Sequence, residues 1–143
     1  MHEKIRVFLK MFEMELEDLH KDIEMLIDHY TDEHDHEVIS NYVFLENIAL
    51  MNNELFGIDS FIEAVRGTDP ARFTTVTALM SALSDMLRRR CREKGYATSV
   101  CVLAERKMNK ISSYIESDGP VWEKHGIGQS SVRDILHESL PLI

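Results

Sequence analysis

Between Ile5 and Tyr30 apolar side chains return at alternating steps of four and three: Ile5, Leu9, Phe12, Leu16, Leu19, Ile23, Leu26 and Tyr30. Because an α-helix turns once every 3.6 residues, this spacing gathers them on one stripe and predicts a long helix packed at a shallow angle on its neighbours. Phe8, Met11, Met25 and Ile27 widen the stripe beyond two positions in seven, which suits a helix inside a bundle better than an isolated coiled coil. A start near His2 or Glu3 puts Glu3 at the positive end of the dipole, and Glu17 precedes Lys21 by one turn on the outer face.

The polar run Thr31 to Glu37 breaks the rhythm and predicts a short turn, with Thr31, Asp32 or Asp35 as the cap of a second helix from about residue 36. That helix carries Val38, Leu45, Ile48, Leu55, Ile58, Ile62 and Val65 along a seam, flanked by Tyr42, Ala49 and Phe56. Asn41 and Asn52 fall on the same line, either buried to set register or turned out to water. Gly57 lowers helix propensity by about 1 kcal/mol relative to Ala. With Asp59 or Ser60 followed by Glu63 as a fresh cap, a kink or restart is expected near 57–59.

Gly67-Thr-Asp-Pro70 is the clearest punctuation: Gly67 suits a left-handed end cap, Asp69 a start cap and Pro70 a first helical position. The third helix carries Phe73, Val76, Leu79 or Met80, Leu83, Met86 or Leu87, and Cys91, and stops at Gly95. Its opening Phe-Thr-Thr-Val-Thr has weak helix propensity and depends on packing. Residues 96–103 resemble a strand on propensity alone, but Ala97, Cys101, Ala104, Met108, Ile111 and Ile115 sustain three-four spacing and predict a fourth helix over 97–117. Asp118-Gly-Pro120 ends it, and Ser131 with Asp134 caps a short amphipathic helix bearing Val132, Ile135, Leu136 and Leu140. The expected fold is all-α: an up-down-up-down four-helix bundle over 1–118, with 119–143 as a helical appendage of the same domain.

Composition adds little to that fold but narrows the function. A chain of 143 residues suits one domain that needs no metal or disulfide for stability. Cys91 and Cys101 lie ten positions apart without a CxxC pattern, as expected of two reduced, half-buried thiols in a cytoplasmic protein. No apolar run approaches the length of a signal or membrane segment, so neither secretion nor a membrane partner is expected. The net charge of −9 is unevenly spread: residues 1–70 hold 5 Lys/Arg against 17 Asp/Glu, and residues 71–143 hold 11 against 8. An acidic chain is a poor nucleic-acid binder. Charge segregation of this kind favours solvated faces or the docking of a protomer on its twin.

Candidate chemistry concentrates in Asp28, His29, Asp32, Glu33, His34, Asp35, His36 and Glu37. On a continuous helix His29 and Glu33, and Asp32 and His36, stand one turn apart and suit a divalent transition metal; without one, they are ordinary acidic and turn residues. Glu17-x-x-His20 and Glu33-x-x-His36 match di-iron bundle spacing, but only Glu46 and Glu105 offer themselves as partners, and Glu17 and His20 point partly outward. Glu13, Glu17, Glu24 and Asp28 have the composition of a magnesium hydrolase site, yet they fall on the polar face of the first helix, where solvation explains them. Arg88, Arg89, Arg92 and Lys94 complement the negative end of the third helix and, with Trp122 as an anchor, make a candidate interaction patch. Cys91, inside that basic run, is expected to be an inert thiol.

No set of residues assembles a catalytic site or calls for a resident cofactor. The expectation is therefore a cytoplasmic, non-catalytic bundle acting through protein–protein contact, as an adaptor, regulator or accessory subunit that also self-associates as a homodimer. The alternative is a metal-binding helical protein using His29, Asp32, Glu33 and His36.

Overall fold

The computed structural model describes residues 2–117. These form α1 (His2–Asp35), α2 (Asn41–Arg66), a single 3-10 turn (Pro70–Arg72), α3 (Val76–Lys94) and α4 (Thr98–Glu116), with no strand among them. The tail expected to hold Trp122 and a short amphipathic helix lies outside the described residues. At 1.5 Å per residue α1 runs about 51 Å and α2 about 39 Å, whereas α3 and α4 reach only about 29 Å. The two shorter helices therefore cannot cover the full length of the longer pair.

α1 extends through the segment expected to be a turn, because local contacts favour helix there. The Thr31 hydroxyl donates back to the Ile27 carbonyl at 2.8 Å, and His29 pairs with Glu33 one turn on. The helix ends where the Val38 amide reaches back to the Glu33 carbonyl at 2.8 Å and the Glu37 amide to His34 at 3.1 Å. This is a Schellman closure with Glu37 at φ 59° in the position that glycine usually takes. The cap of α2 is Ser40, whose hydroxyl accepts from the Val43 amide at 3.2 Å, and not Thr31, Asp32 or Asp35.

The punctuation at 67–75 also differs from expectation. Gly67 caps α2 at φ −82°, so it is not left-handed; that conformation falls to Gly95 at φ 71°, which ends α3. Asp69 caps and Pro70 starts only the short 3-10 turn. The β-branched run then interrupts, and α3 begins afresh at Val76 with the Thr75 hydroxyl accepting from Ala78.

α1 and α2 lie antiparallel. His34 stacks on Phe44 with ring centroids 4.1 Å apart, His20 Nε2 meets Asp59 at 3.0 Å, and Arg66 reaches both Glu13 and Glu17. α4 crosses to α1 at Lys4–Glu116 (3.9 Å), and α3 is tied to α4 by Arg88–Glu105 at 2.6 Å. The shared core takes Ile5, Phe8, Phe12, Leu16, Leu19 and Ile23 from α1, and Met51, Ile58, Phe61 and Val65 from α2. α3 contributes Leu79, Leu83 and Leu87, and α4 adds Val100, Ala104, Met108, Ile111 and Ile115. α2 stays continuous through Gly57, with no restart at 57–59. A Cβ there would stand 3.3 Å from both Tyr96 Cγ and Val100 Cγ1, so the glycine is what lets α4 approach.

Candidate functional site

The core occupies only part of the two long helices. From Glu24 to Leu50 no residue is buried; below Ile23 on α1 buried residues recur at every turn, and on α2 they do so from Gly57 onward, preceded by Met51. α1 and α2 therefore continue together past the reach of α3 and α4 as a two-helix arm. Leu26, Ile27, Tyr30 and Ile48 are half-buried along its inner seam, and His34 stacked on Phe44 closes its tip.

The outer side of the arm is unusual for a surface. Tyr42, Leu45, Ala49, Asn52 and Phe56 repeat at steps of three, four, three and four, a second seam on the side of α2 turned away from the core. Tyr42 is 70% exposed, Leu45 56% and Phe56 64%. A helix apolar on both sides is ordinarily covered on both sides. Val43 and Leu50 on α2 and Met25 on α1 add further exposed apolar surface. Val38 and Leu45, expected on the inner seam, are exposed; Val38 lies before α2 and Leu45 on its outer line. Asn41 and Asn52 are also exposed, Asn41 bonding His34 Nε2 at 3.0 Å, so neither amide sets register from within the core.

At its inner end this strip runs into a groove of about 710 Å³, lined by Asn53, Phe56, Asp59, Glu63, Arg90, Lys94 and Tyr96 among others. The walls are pinned by side chains. Asn53 accepts from the Ala97 amide at 2.7 Å and donates to the Gly95 carbonyl at 3.2 Å, and Arg90 donates to the Ser60 carbonyl and hydroxyl at 3.0 and 2.9 Å. Arg90 stands inside the basic run but carries no signal of its own in the sequence, since periodicity assigns no partner to a long polar side chain.

The histidine-rich segment resolves into separate pairs. His29 contacts Glu33, while His36 Nδ1 lies 2.8 Å from the Asp32 carbonyl and 3.4 Å from its carboxylate. Those two Asp32 oxygens hold the exposed His36 imidazole above its ordinary pKa. Among the described residues no three His, Cys, Asp or Glu side chains converge as a metal-holding group. The di-iron candidates are engaged elsewhere: Glu17 with Arg66, His20 with Glu24 and Asp59, Glu46 with Tyr42, and Glu105 with Arg88.

The basic patch is likewise divided. Arg88 is held by Glu105, whose carboxyl the guanidinium lowers below its usual range. Lys94 lines the groove, Arg89 and Arg92 are exposed, and Trp122 lies outside the described residues. Burial pushes the half-buried Cys91 thiol up to about 11, and Cys101, brought alongside it by the α3–α4 pairing, is raised for the same reason. Two thiols of this kind are poor nucleophiles at neutral pH.

Inside the core two charged residues, neither of them among the expected site residues, are fully buried: Glu15 on α1 and Lys107 on α4. Glu15 occupies the line of Phe8, Met11, Phe12 and Leu19, and Lys107 the line of Val100, Leu103, Ala104 and Ile111. Desolvation pushes the Glu15 carboxyl up to about 8, opposed by Lys107 and Lys110; it lowers the Lys107 ammonium to about 8, opposed chiefly by Glu15. Among the described residues neither Glu15 oxygen finds a hydrogen-bond partner. The signal in the sequence is one charge of each sign on two otherwise apolar lines.

No protein-family model, curated protein or solved structure matches the chain. Among the described residues no helix is long and apolar enough to cross a membrane.

Proposed function

We propose that this is a cytoplasmic, non-catalytic helical bundle of up-down-up-down topology that acts through protein–protein contact, as an adaptor, regulator or accessory subunit. The observation that carries it is the bare outer seam of α2, three large apolar side chains each more than half exposed along one helical line. Exposed apolar surface of that kind, among polar groups, marks contact sites more often than chemistry. Self-association is the second part of the proposal: Arg89 and Arg92 on α3 are exposed, and the N-terminal half of a twin supplies carboxylates in excess. The metal-binding alternative draws on two His–carboxylate pairs one turn apart and lacks a third converging ligand among the described residues.

The test is co-purification at native abundance, comparing the natural chain with Tyr42→Ser/Leu45→Ser/Phe56→Ser, together with sedimentation of both. Partners lost specifically in the variant, with self-association retained, are the expected result. A 16.6 kDa species with no partner dependent on the seam overturns the proposal. A metal scan on protein purified without a histidine tag, repeated on His29→Ala/His36→Ala, decides the alternative: stoichiometric metal lost in the variant would establish it.

A further inference from the structure

The charge around the arm says what kind of partner its bare seam fits. Residues 24–50 carry seven carboxylates (Glu24, Asp28, Asp32, Glu33, Asp35, Glu37 and Glu46) and no Lys or Arg. The seam of Tyr42, Leu45, Ala49 and Phe56 spans about 21 Å of helix, the length of four turns. It lies on an arm that carries no Lys or Arg, and it ends in the groove between α2 and α3, where Asp59 and Glu63 of α2 stand with Arg90, Glu93 and Lys94 of α3.

Three occupants differ in their fit. A second arm would oppose seven carboxylates to seven, and like charges placed across an interface cost several kcal/mol. The basic end of a twin's α3 has the right charge but presents Ser81, Asp85, Arg89 and Arg92 outward, without a matching apolar line. Residues 118–143 are not basic, with Lys124 and Arg133 against Asp118, Glu123, Asp134 and Glu138. α4, to which they are joined, ends beside Lys4, at the pole of α1 opposite the arm. A helix that is apolar on one face and basic on its flanks satisfies both requirements, laying its apolar residues along the seam and bringing its cations to an arm whose acidic residues outnumber its Lys and Arg seven to none.

We propose that the α1–α2 arm is a docking site for a basic amphipathic helix of another protein, seated along Tyr42, Leu45, Ala49 and Phe56. This rests on the contact function above and specifies its partner class. Homodimerisation through charge on other faces leaves the seam open to that helix.

The experiment titrates the full chain into a labelled Leu/Lys helical peptide of about 18 residues, roughly 27 Å long. Controls are a scrambled peptide of the same composition and a Leu/Glu helix. The Leu/Lys helix is expected to bind, and Tyr42→Ser/Leu45→Ser/Phe56→Ser to weaken it by about tenfold or more. Leu45→Lys, a single exposed change, serves where the triple variant is not folded by circular dichroism, and should weaken binding by several-fold through repulsion. Equal binding of the scrambled peptide, or an unchanged affinity in a folded seam variant, means charge alone and overturns the proposal. Preference for the Leu/Glu helix, or a natural dimer that the seam variant dissolves, also overturns it while leaving the contact function standing. Failure of every peptide in a chain that sediments as a monomer, with no seam-dependent partner, removes both.

Discussion

α1 and α2 each run through two environments, and the contrast between them is instructive. In the body of the bundle, below Ile23 and beyond Met51, their inner faces meet α3 and α4 and bury Phe8, Phe12, Leu16, Ile58 and Phe61 completely. In the arm the same two helices keep an apolar inner seam and, on α2, add an outer one, yet bury nothing fully. Sequence character barely changes along α2; the number of neighbours does. Apolar periodicity thus reports a face that profits from cover, and the lengths of α3 and α4 determine which part of it those two helices cover.

The largest effects should fall in the body. Phe12→Ala is expected to cost about 3–5 kcal/mol in denaturant unfolding, because it leaves a cavity in a fully packed layer. Should Leu45→Ala cost a comparable amount in the same measurement, the arm would have cover after all and the contrast would fail.

The buried pair sets the next effect, and its sign follows from proton uptake. Glu15 has its folded pKa raised to about 8, so the folded state holds an extra proton above the ordinary carboxyl range, and stability declines as pH rises from about 4.5 toward 8. Lys107 has its folded pKa lowered to about 8, so the unfolded state holds the extra proton and stability recovers between about 8 and 10.5. This pair therefore contributes a minimum near pH 8, with Asp18, Asp22, Arg106 and Lys110 modulating its depth. Glu15→Gln should flatten the acid limb and Lys107→Met the alkaline limb, each by roughly 2–4 kcal/mol in unfolding curves across pH. Glu15→Leu/Lys107→Met should be at least as stable as the natural chain near pH 8, since replacing two buried charged groups together by apolar ones is often neutral or favourable. A flat profile in the natural chain would place the pair in water and break its assignment to the body.

At the tip of the arm Glu37→Gly should stabilise by about 0.5–1 kcal/mol, relieving a left-handed residue that has a Cβ. Thermal unfolding that shows a loss instead would mean that the Glu37 side chain matters to the closure. The smallest effect is the most telling: Tyr42→Ser and Leu45→Ala, singly, should change stability by no more than about 0.5 kcal/mol, as for exposed positions generally. Near-neutral stability joined to a loss of peptide binding would sharpen the division between a body built for folding and an arm built for contact.

Much of the architecture was legible from local rules. The three-four seams identify four helices, Ala97 to Ile115 outweighs a strand-like segment, and Gly95 marks the end of α3, because periodicity and turn chemistry act within a few residues. The boundaries at 31–40 and 70–76 were less legible. A polar run with several possible caps does not reveal that Thr31, His29 and Glu33 will bond within a continuing helix, nor that the start signal at Asp69-Pro70 will be spent on one 3-10 turn. Tertiary structure alone decided that α2 runs on through Gly57 against Val100 of α4, that Glu15 and Lys107 are buried where their charges act on each other, and that the outer line of α2 is exposed. The reason is physical: a sequence repeats the direction in which a side chain points, whereas burial and charge pairing depend on which other helix, drawn from a distant part of the chain, arrives at that height and on that side.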